Sequence, residues 1–140
     1  MGIGFGLLCE ICGYEKDVML GSGFSHGDPE GIIESCTKYD QISIKEIFTD
    51  DMEIEQEGYS LYQCRKCFSL SNTYHLKLIK DGKEIYKTKR ICNICKIRKK
   101  RIVANESTWD VYKVPEKYEL RCPKCEENPL LIVSNQLMWD

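Results

Sequence analysis

Apolar and polar positions along this chain alternate in short runs more often than they recur at helical spacing. Ile3, Phe5 and Leu7 alternate, then Tyr14, Val18 and Leu20 follow a tight break, so residues 1–20 read as a hairpin. Tyr59, Leu61 and Gln63 form the next alternating stretch. Asn72 to Lys80 alternates more roughly, and Asp81-Gly82 marks a two-residue turn before a returning strand from Glu84 to Arg90. Further strands are expected from Lys96 to Val103, around Trp109, Val111 and Tyr112, into Tyr118 and Leu120, and from Leu130 to Val133. A turn is expected near Asn105-Glu106-Ser107.

Helical spacing appears only between residues 28 and 52. Asp28-Pro29 suits a helix start, with Asp28 as cap and Pro29 in the first turn, and Ile32, Ile33 and Cys36 form its apolar face. Ser43 and Glu46 have the spacing of a capping box for a second helix, with Ile44, Ile47, Phe48 and Met52 on one face. The acidic run from Asp50 to Glu57 has no such pattern beyond Ile54 and reads as a solvated loop.

Between these elements lie four C-x2-C pairs: Cys9/Cys12, Cys64/Cys67, Cys92/Cys95 and Cys122/Cys125. Two residues between thiols make a knuckle whose sulfurs reach one ion, and two knuckles complete a tetrahedral four-sulfur site. Four knuckles imply two structural Zn²⁺ ions. Gly13, directly after Cys12, suits a turn that aims backbone N–H groups at sulfur with positive φ. A disulfide framework is the competing reading, but C-x2-C closes too small a loop for an ordinary bridge. The start MGIGFGLLCE lacks a secretory pattern and fits neither a lipoprotein box nor a myristoylation signal. No apolar run has membrane-spanning length. The expectation is a soluble, cytoplasmic protein.

Sequential, nested and interleaved pairings of the knuckles are all conceivable. The 24 residues between Cys67 and Cys92 fit a fold-back hairpin, and the 26 between Cys95 and Cys122 fit a ribbon spacer. Sequential pairing makes each half self-sufficient and is the favoured expectation. It divides the chain into a module over 1–79, with a helical insertion at about 28–52, and a second over 80–140. Each piece is small enough to need a staple, and zinc binding in small modules is worth ~10–16 kcal/mol. The fold class is thus a small α+β protein, mainly short antiparallel strands.

The knuckles with flanking strands resemble zinc-ribbon and rubredoxin-like folds. CEICGYEKDVMLGSGF, the helical insertion, YQCRKCF and the closing CPKC…WD resemble small uncharacterised bacterial proteins with paired zinc ribbons. That resemblance implies metal binding and no established activity. CEICGYEKD also resembles the first knuckle of rubredoxin, whereas CRKCF lacks the Pro and Gly of rubredoxin's partner knuckle. Electron transfer with iron at the first site is therefore the third-ranked reading.

Net charge is −2, but residues 1–58 hold 13 acids and 3 bases, and residues 59–140 hold 9 acids and 17 bases. Ten of the twenty Lys and Arg fall in residues 80–101. Lys96, Arg98, Lys99, Lys100 and Arg101 are the candidate nucleic-acid contacts, with Tyr86, Trp109 and Tyr112 as nearby stacking groups. The competing reading is a face that neutralises the acidic half. Trp109, Tyr112, Met138 and Trp139 read as core, with a binding surface as the weaker alternative. Cys36 reads as a small hydrophobe, and a nucleophilic Cys36–His26 pair is the weaker alternative. His75 lies in an expected strand. No motif for phosphate binding, acyl transfer or hydride transfer appears, and eight paired thiolates leave no open metal position. The expectation is a non-enzymatic, zinc-stabilised interaction or adaptor protein whose partner is a protein. Nucleic-acid binding is second, and neither a membrane nor a small-molecule substrate is expected.

Overall fold

A computed structural model describes residues 2–21, 28–103, 120–126 and 129–139. The chain runs β1 (Gly2–Leu8), β2 (Glu15–Leu20), α1 (Pro29–Glu34), α2 (Lys38–Ile47), β3 (Glu53–Gln63), β4 (Leu70–Lys80), β5 (Lys83–Lys87), β6 (Lys100–Val103) and β7 (Leu131–Trp139). Two antiparallel sheets result, ordered β2-β1-β7 and β5-β4-β3-β6. This is the small α+β architecture expected, with short antiparallel strands, two helices and a zinc-ribbon-like two-module layout.

The modules are not consecutive along the chain. Strand β1 pairs with β2 on one side and with β7, from the far end of the chain, on the other. The four-stranded sheet lies between them in sequence.

Each sheet has its own apolar core. In the first, Phe5, Leu7, Val18, Leu20, Leu61, Leu120 and Leu130 pack with Cys9 and Cys122. In the second, Ile32, Ile33, Cys36 and Ile44 of the helical segment pack on Tyr74, Leu76 and Leu78 of β4. Alternation in β4 puts those three on one face and His75 on the other.

Two side-chain amides join the sheets. Asn72 Nδ2 donates to the Met19 carbonyl at 2.7 Å, while its Oδ1 accepts from the Met19 N–H at 2.7 Å. It thus stands in for a neighbouring backbone beside β2. Gln63 Nε2 donates to the Phe68 and Arg121 carbonyls at 3.0 and 2.8 Å, and its Oε1 accepts from the Arg121 N–H at 3.4 Å. Leu61 completes the joint by reaching from β3 into the first core.

Three local expectations need correction. The second helix begins at Lys38, capped by Thr37, whose hydroxyl accepts from the Asp40 N–H. Ser43 is inside that helix and donates to the Tyr39 carbonyl, so its apparent capping box does not start it. The acidic run is not a loop throughout, because β3 begins at Glu53. Pairing with β4 places Glu55 opposite Lys77, and Lys77 meets both Glu55 and Glu57. Cross-strand charge pairing thus overrides the weak strand preference of glutamate. Finally, the strand expected from Lys96 starts only at Lys100, because Lys96 and Ile97 finish the third knuckle.

The Asp81-Gly82 turn is as expected, with positive φ at both residues (51° and 74°), as a two-residue hairpin of this type requires. The expectations at His26, at the Asn105–Ser107 turn and at Trp109, Val111, Tyr112 and Tyr118 lie outside the described residues.

Candidate metal centres

All four knuckles repeat one backbone motif. The N–H of the residue after the second cysteine donates to the carbonyl of the first: Gly13 to Cys9, Phe68 to Cys64, Lys96 to Cys92 and Glu126 to Cys122, at 2.8–3.1 Å. In each case that residue has positive φ, at 77°, 58°, 60° and 57°. Only the first is glycine. The other three hold side chains in the left-handed region, which costs roughly 1–2 kcal/mol for an L residue. In the first three knuckles the leading cysteine also donates its N–H across the turn, to Tyr14, Ser69 and Ile97. This geometry brings both sulfurs of a knuckle to the same side.

The knuckles pair first with fourth and second with third. Cys9, Cys12, Cys122 and Cys125 form one group, and Cys64, Cys67, Cys92 and Cys95 the other, with all sulfurs of a group within 4.8 Å of one another. The sequential pairing favoured on the grounds of self-sufficient halves is therefore incorrect. The β1–β7 pairing carries the fourth knuckle back to the first, while β3, β4 and the turn after β5 bring the third to the second.

The spacing suits a metal. Sulfurs at ~2.3 Å from an ion in a tetrahedron lie about 3.8 Å apart. Cys9 and Cys125 are 3.8 Å apart, Cys12 and Cys122 3.4 Å, and Cys67 and Cys92 3.6 Å. In both groups the leading cysteine of each knuckle is buried and the trailing one is half-buried. The donor set is entirely sulfur, the choice of Zn²⁺ or iron rather than a hard cation.

Electrostatics inside the second group reinforce this fit. The Ser69 hydroxyl, 3.3 Å from Cys67 Sγ and 3.5 Å from Cys92 Sγ, draws the Cys67 thiol below its usual pKa. Burial opposes ionisation of Cys92, but the Cys95 backbone N–H and the Ser69 hydroxyl outweigh it and bring the thiol down to about 6. Desolvation and hydrogen bonding to Cys67 and Cys64 push Cys95 up to about 12. Neighbouring thiols cannot all ionise when alone, and a dication among them removes that conflict. Ser69 is a supporting residue that spacing did not reveal. The available signal was a hydroxyl two positions after a knuckle.

The remaining candidates separate. Cys36 is buried among Ile32, Ile33 and Ile44, and burial followed by the Asp40 charge raises its thiol to about 12. His75 is buried edge-on to Tyr62, with hydroxyls of Thr73 and Thr88 each 2.8 Å from a ring nitrogen. Of the basic run, Lys96 turns the third knuckle, Arg98 bridges to Ile91, and the Lys99 N–H donates to Arg90. Lys100 and Arg101 pair through their backbones with Gln63 and Tyr62 in β3. The charges are thus divided between a turn, a bridge and a strand rather than carried by one strand.

The neutralising role falls to a different set of cations. Lys77, Lys87 and Arg90 surround Glu57, and Lys80 meets Asp51. No helix among the described residues is long and apolar enough to cross a membrane. No protein-family model, curated protein or solved structure matches the chain.

Proposed function

We propose that each four-cysteine group holds one structural Zn²⁺, and that the protein is a zinc-stapled interaction module without catalysis of its own. The observation that carries this reading is the gathering of eight thiols into two groups of four, each with its sulfurs within 4.8 Å of one another. Four thiolates are the full ligand set of a closed structural site, which keeps no position for a substrate. Zinc held by four thiolates fixes the knuckles and supplies rigidity where the cores are small.

A protein partner is favoured by the side chains that the knuckles present to solvent. Ile11 and Ile94 occupy the same place in their knuckles and are 72% and 76% exposed, and Ile91 and Ile97 flank Ile94 and are exposed too. Apolar groups concentrated on a rigid tip suit protein recognition.

Elemental analysis of purified protein tests the metal assignment. Two zinc per chain is the expected result, and red, iron-loaded protein would give the rubredoxin-like reading its place. Ile94→Asp with Ile97→Asp is expected to abolish capture of a native partner while zinc content stays at two. Capture that survives both changes would refute the tip as the interaction surface.

Nucleic-acid binding through residues 96–101 is the second reading, favoured by the exposure of Lys96 and Arg98 without ion pairs among the described residues. A salt-dependent gel shift lost in Lys99→Glu, Lys100→Glu, Arg101→Glu supports it. The absence of a shift at low salt ends it.

A further inference from the structure

Beside the second cysteine group lies a cavity of about 480 Å³. It is bounded by the first turn of α2, by Ser71, Thr73 and His75 on one face of β4, and by the segment from Lys89 to Lys99. We propose that this cavity binds a small phosphate-bearing ligand, and the proposal is independent of the metal's identity.

Charge is the first argument. Lys38, Lys89, Arg90, Lys96 and Lys99 line the cavity, against one carboxylate, Asp40. That carboxylate is already engaged, accepting from the Tyr86 hydroxyl at 2.6 Å, the Thr37 hydroxyl at 2.9 Å and the Lys89 N–H at 3.2 Å. Among the described residues none of the four lysines has a carboxylate partner, although neighbouring Lys77, Lys80 and Lys87 do. Two are held by hydroxyls instead: Lys89 Nζ lies 2.5 Å from the Tyr39 hydroxyl, and Lys99 Nζ bonds Ser71. Held in this way, the ammonium groups keep their charge uncompensated beside one cavity.

A second argument is a fixed guanidinium in the wall: that of Arg90 is nearly buried, pairs with Glu57 and lies over the Tyr62 ring, 5.3 Å from its centroid. The third is α2 itself, ten residues long with its N-terminus at the cavity. The Asp40 N–H is taken by Thr37, but those of Lys38 and Tyr39 have no acceptor within the helix. A helix start with flanking lysines is a general way to hold phosphate.

The volume lies in the range of small-ligand sites, about 300–1,000 Å³. It favours a compact anion over a polymer that must run on past the cavity. The donors come from three separate segments rather than from one local motif.

Calorimetric titration of the zinc-loaded full chain at low salt tests the proposal. The probes are inorganic phosphate, a nucleoside monophosphate, a hexose phosphate and a short oligonucleotide. Saturable one-to-one binding of at least one small phosphate below about 1 mM is expected. Phosphate alone indicates a free-anion site, and preference for an organic ester identifies the source of the group. Lys89→Gln with Lys99→Gln should weaken binding at least about tenfold, with zinc content and circular dichroism unchanged. Lys45→Gln, an exposed change outside the cavity, should leave it intact. The proposal is overturned if no small phosphate binds by about 10 mM. It also fails if Lys45→Gln weakens binding as much as the double change, or if only the oligonucleotide binds.

Discussion

The two cysteine groups share one knuckle design but stand in different relations to the cores beside them. In the first, Cys9 and Cys122 belong to the apolar cluster, and Cys12 and Cys125 pack against it. In the second, the helices and β4 build a core that contains none of the four ligands. Chain separation differs as well. Cys12 and Cys122 are 110 residues apart, while Cys67 and Cys92 are 25 apart. Closing the longer span costs about 1.3 kcal/mol more by loop-length scaling alone. With zinc bound as proposed, the first group would depend most on its metal, both for packing and for holding distant segments together. The second fastens a region with a partly independent interior.

The largest expected effect breaks that comparison directly. Cys122→Ser should lose one zinc and remove hydrogen-exchange protection from β1 and β2, while β3, β4 and the helices remain protected. Cys92→Ser should also lose one zinc but retain most of its helical circular dichroism. If the two variants unfold alike, the cores are a single cooperative unit.

A smaller effect is expected at the joint. Gln63→Ala removes three hydrogen bonds, two of which link the second knuckle to the fourth and one of which closes the second knuckle on itself. A loss of about 2–3 kcal/mol in urea unfolding of the zinc-loaded protein is expected. The unfolding curve should also broaden as the two regions separate.

The helix-backed core should carry its own pH signature. Cys36 and Tyr74, both in it, have thiol and phenol pKa values raised to about 12, chiefly by burial. A group raised in the folded state adds stability that is complete below its unfolded value and lost as pH rises to the folded one. Cys36 therefore contributes up to about pH 9 and loses its contribution between 9 and 12, whereas Tyr74 begins to lose its own only above about 10. Urea midpoints should fall with pH above 9, and Cys36→Ala should remove the part of that fall which begins first. An unchanged profile in Cys36→Ala would place the titration elsewhere.

The smallest effect sharpens the likeness between the groups. Lys96→Gly relieves a left-handed backbone and should raise stability by about 0.5–1 kcal/mol. Gly13→Ala in the first group should lower it, through backbone strain alone, since an added Cβ there meets nothing within 4 Å.

Local features were legible wherever the local chain decides them. The Asp28 cap, the Asp81-Gly82 turn, the β1–β2 hairpin and the strand entering the second knuckle all appear where the pattern placed them. The start of α2 was misread because Ser43 and Glu46 imitate a cap within a helix that Thr37 already begins. The strand at Glu53 was invisible because its support comes from Lys77, beyond the next knuckle. The same holds for the basic cavity, whose lining residues are drawn from the helix start, β4 and the third knuckle.

By itself the amino-acid sequence determined the eight cysteines, their grouping into knuckles and the strands around them, because spacing, turn residues and alternation act over a few residues. Only the tertiary structure decided which knuckles meet. That choice rests on β1 accepting a strand from the far end of the chain, and four chemically identical C-x2-C pairs encode no preference for one another. Sheet pairing and core packing supply the preference, and they act between residues that are neighbours only in space.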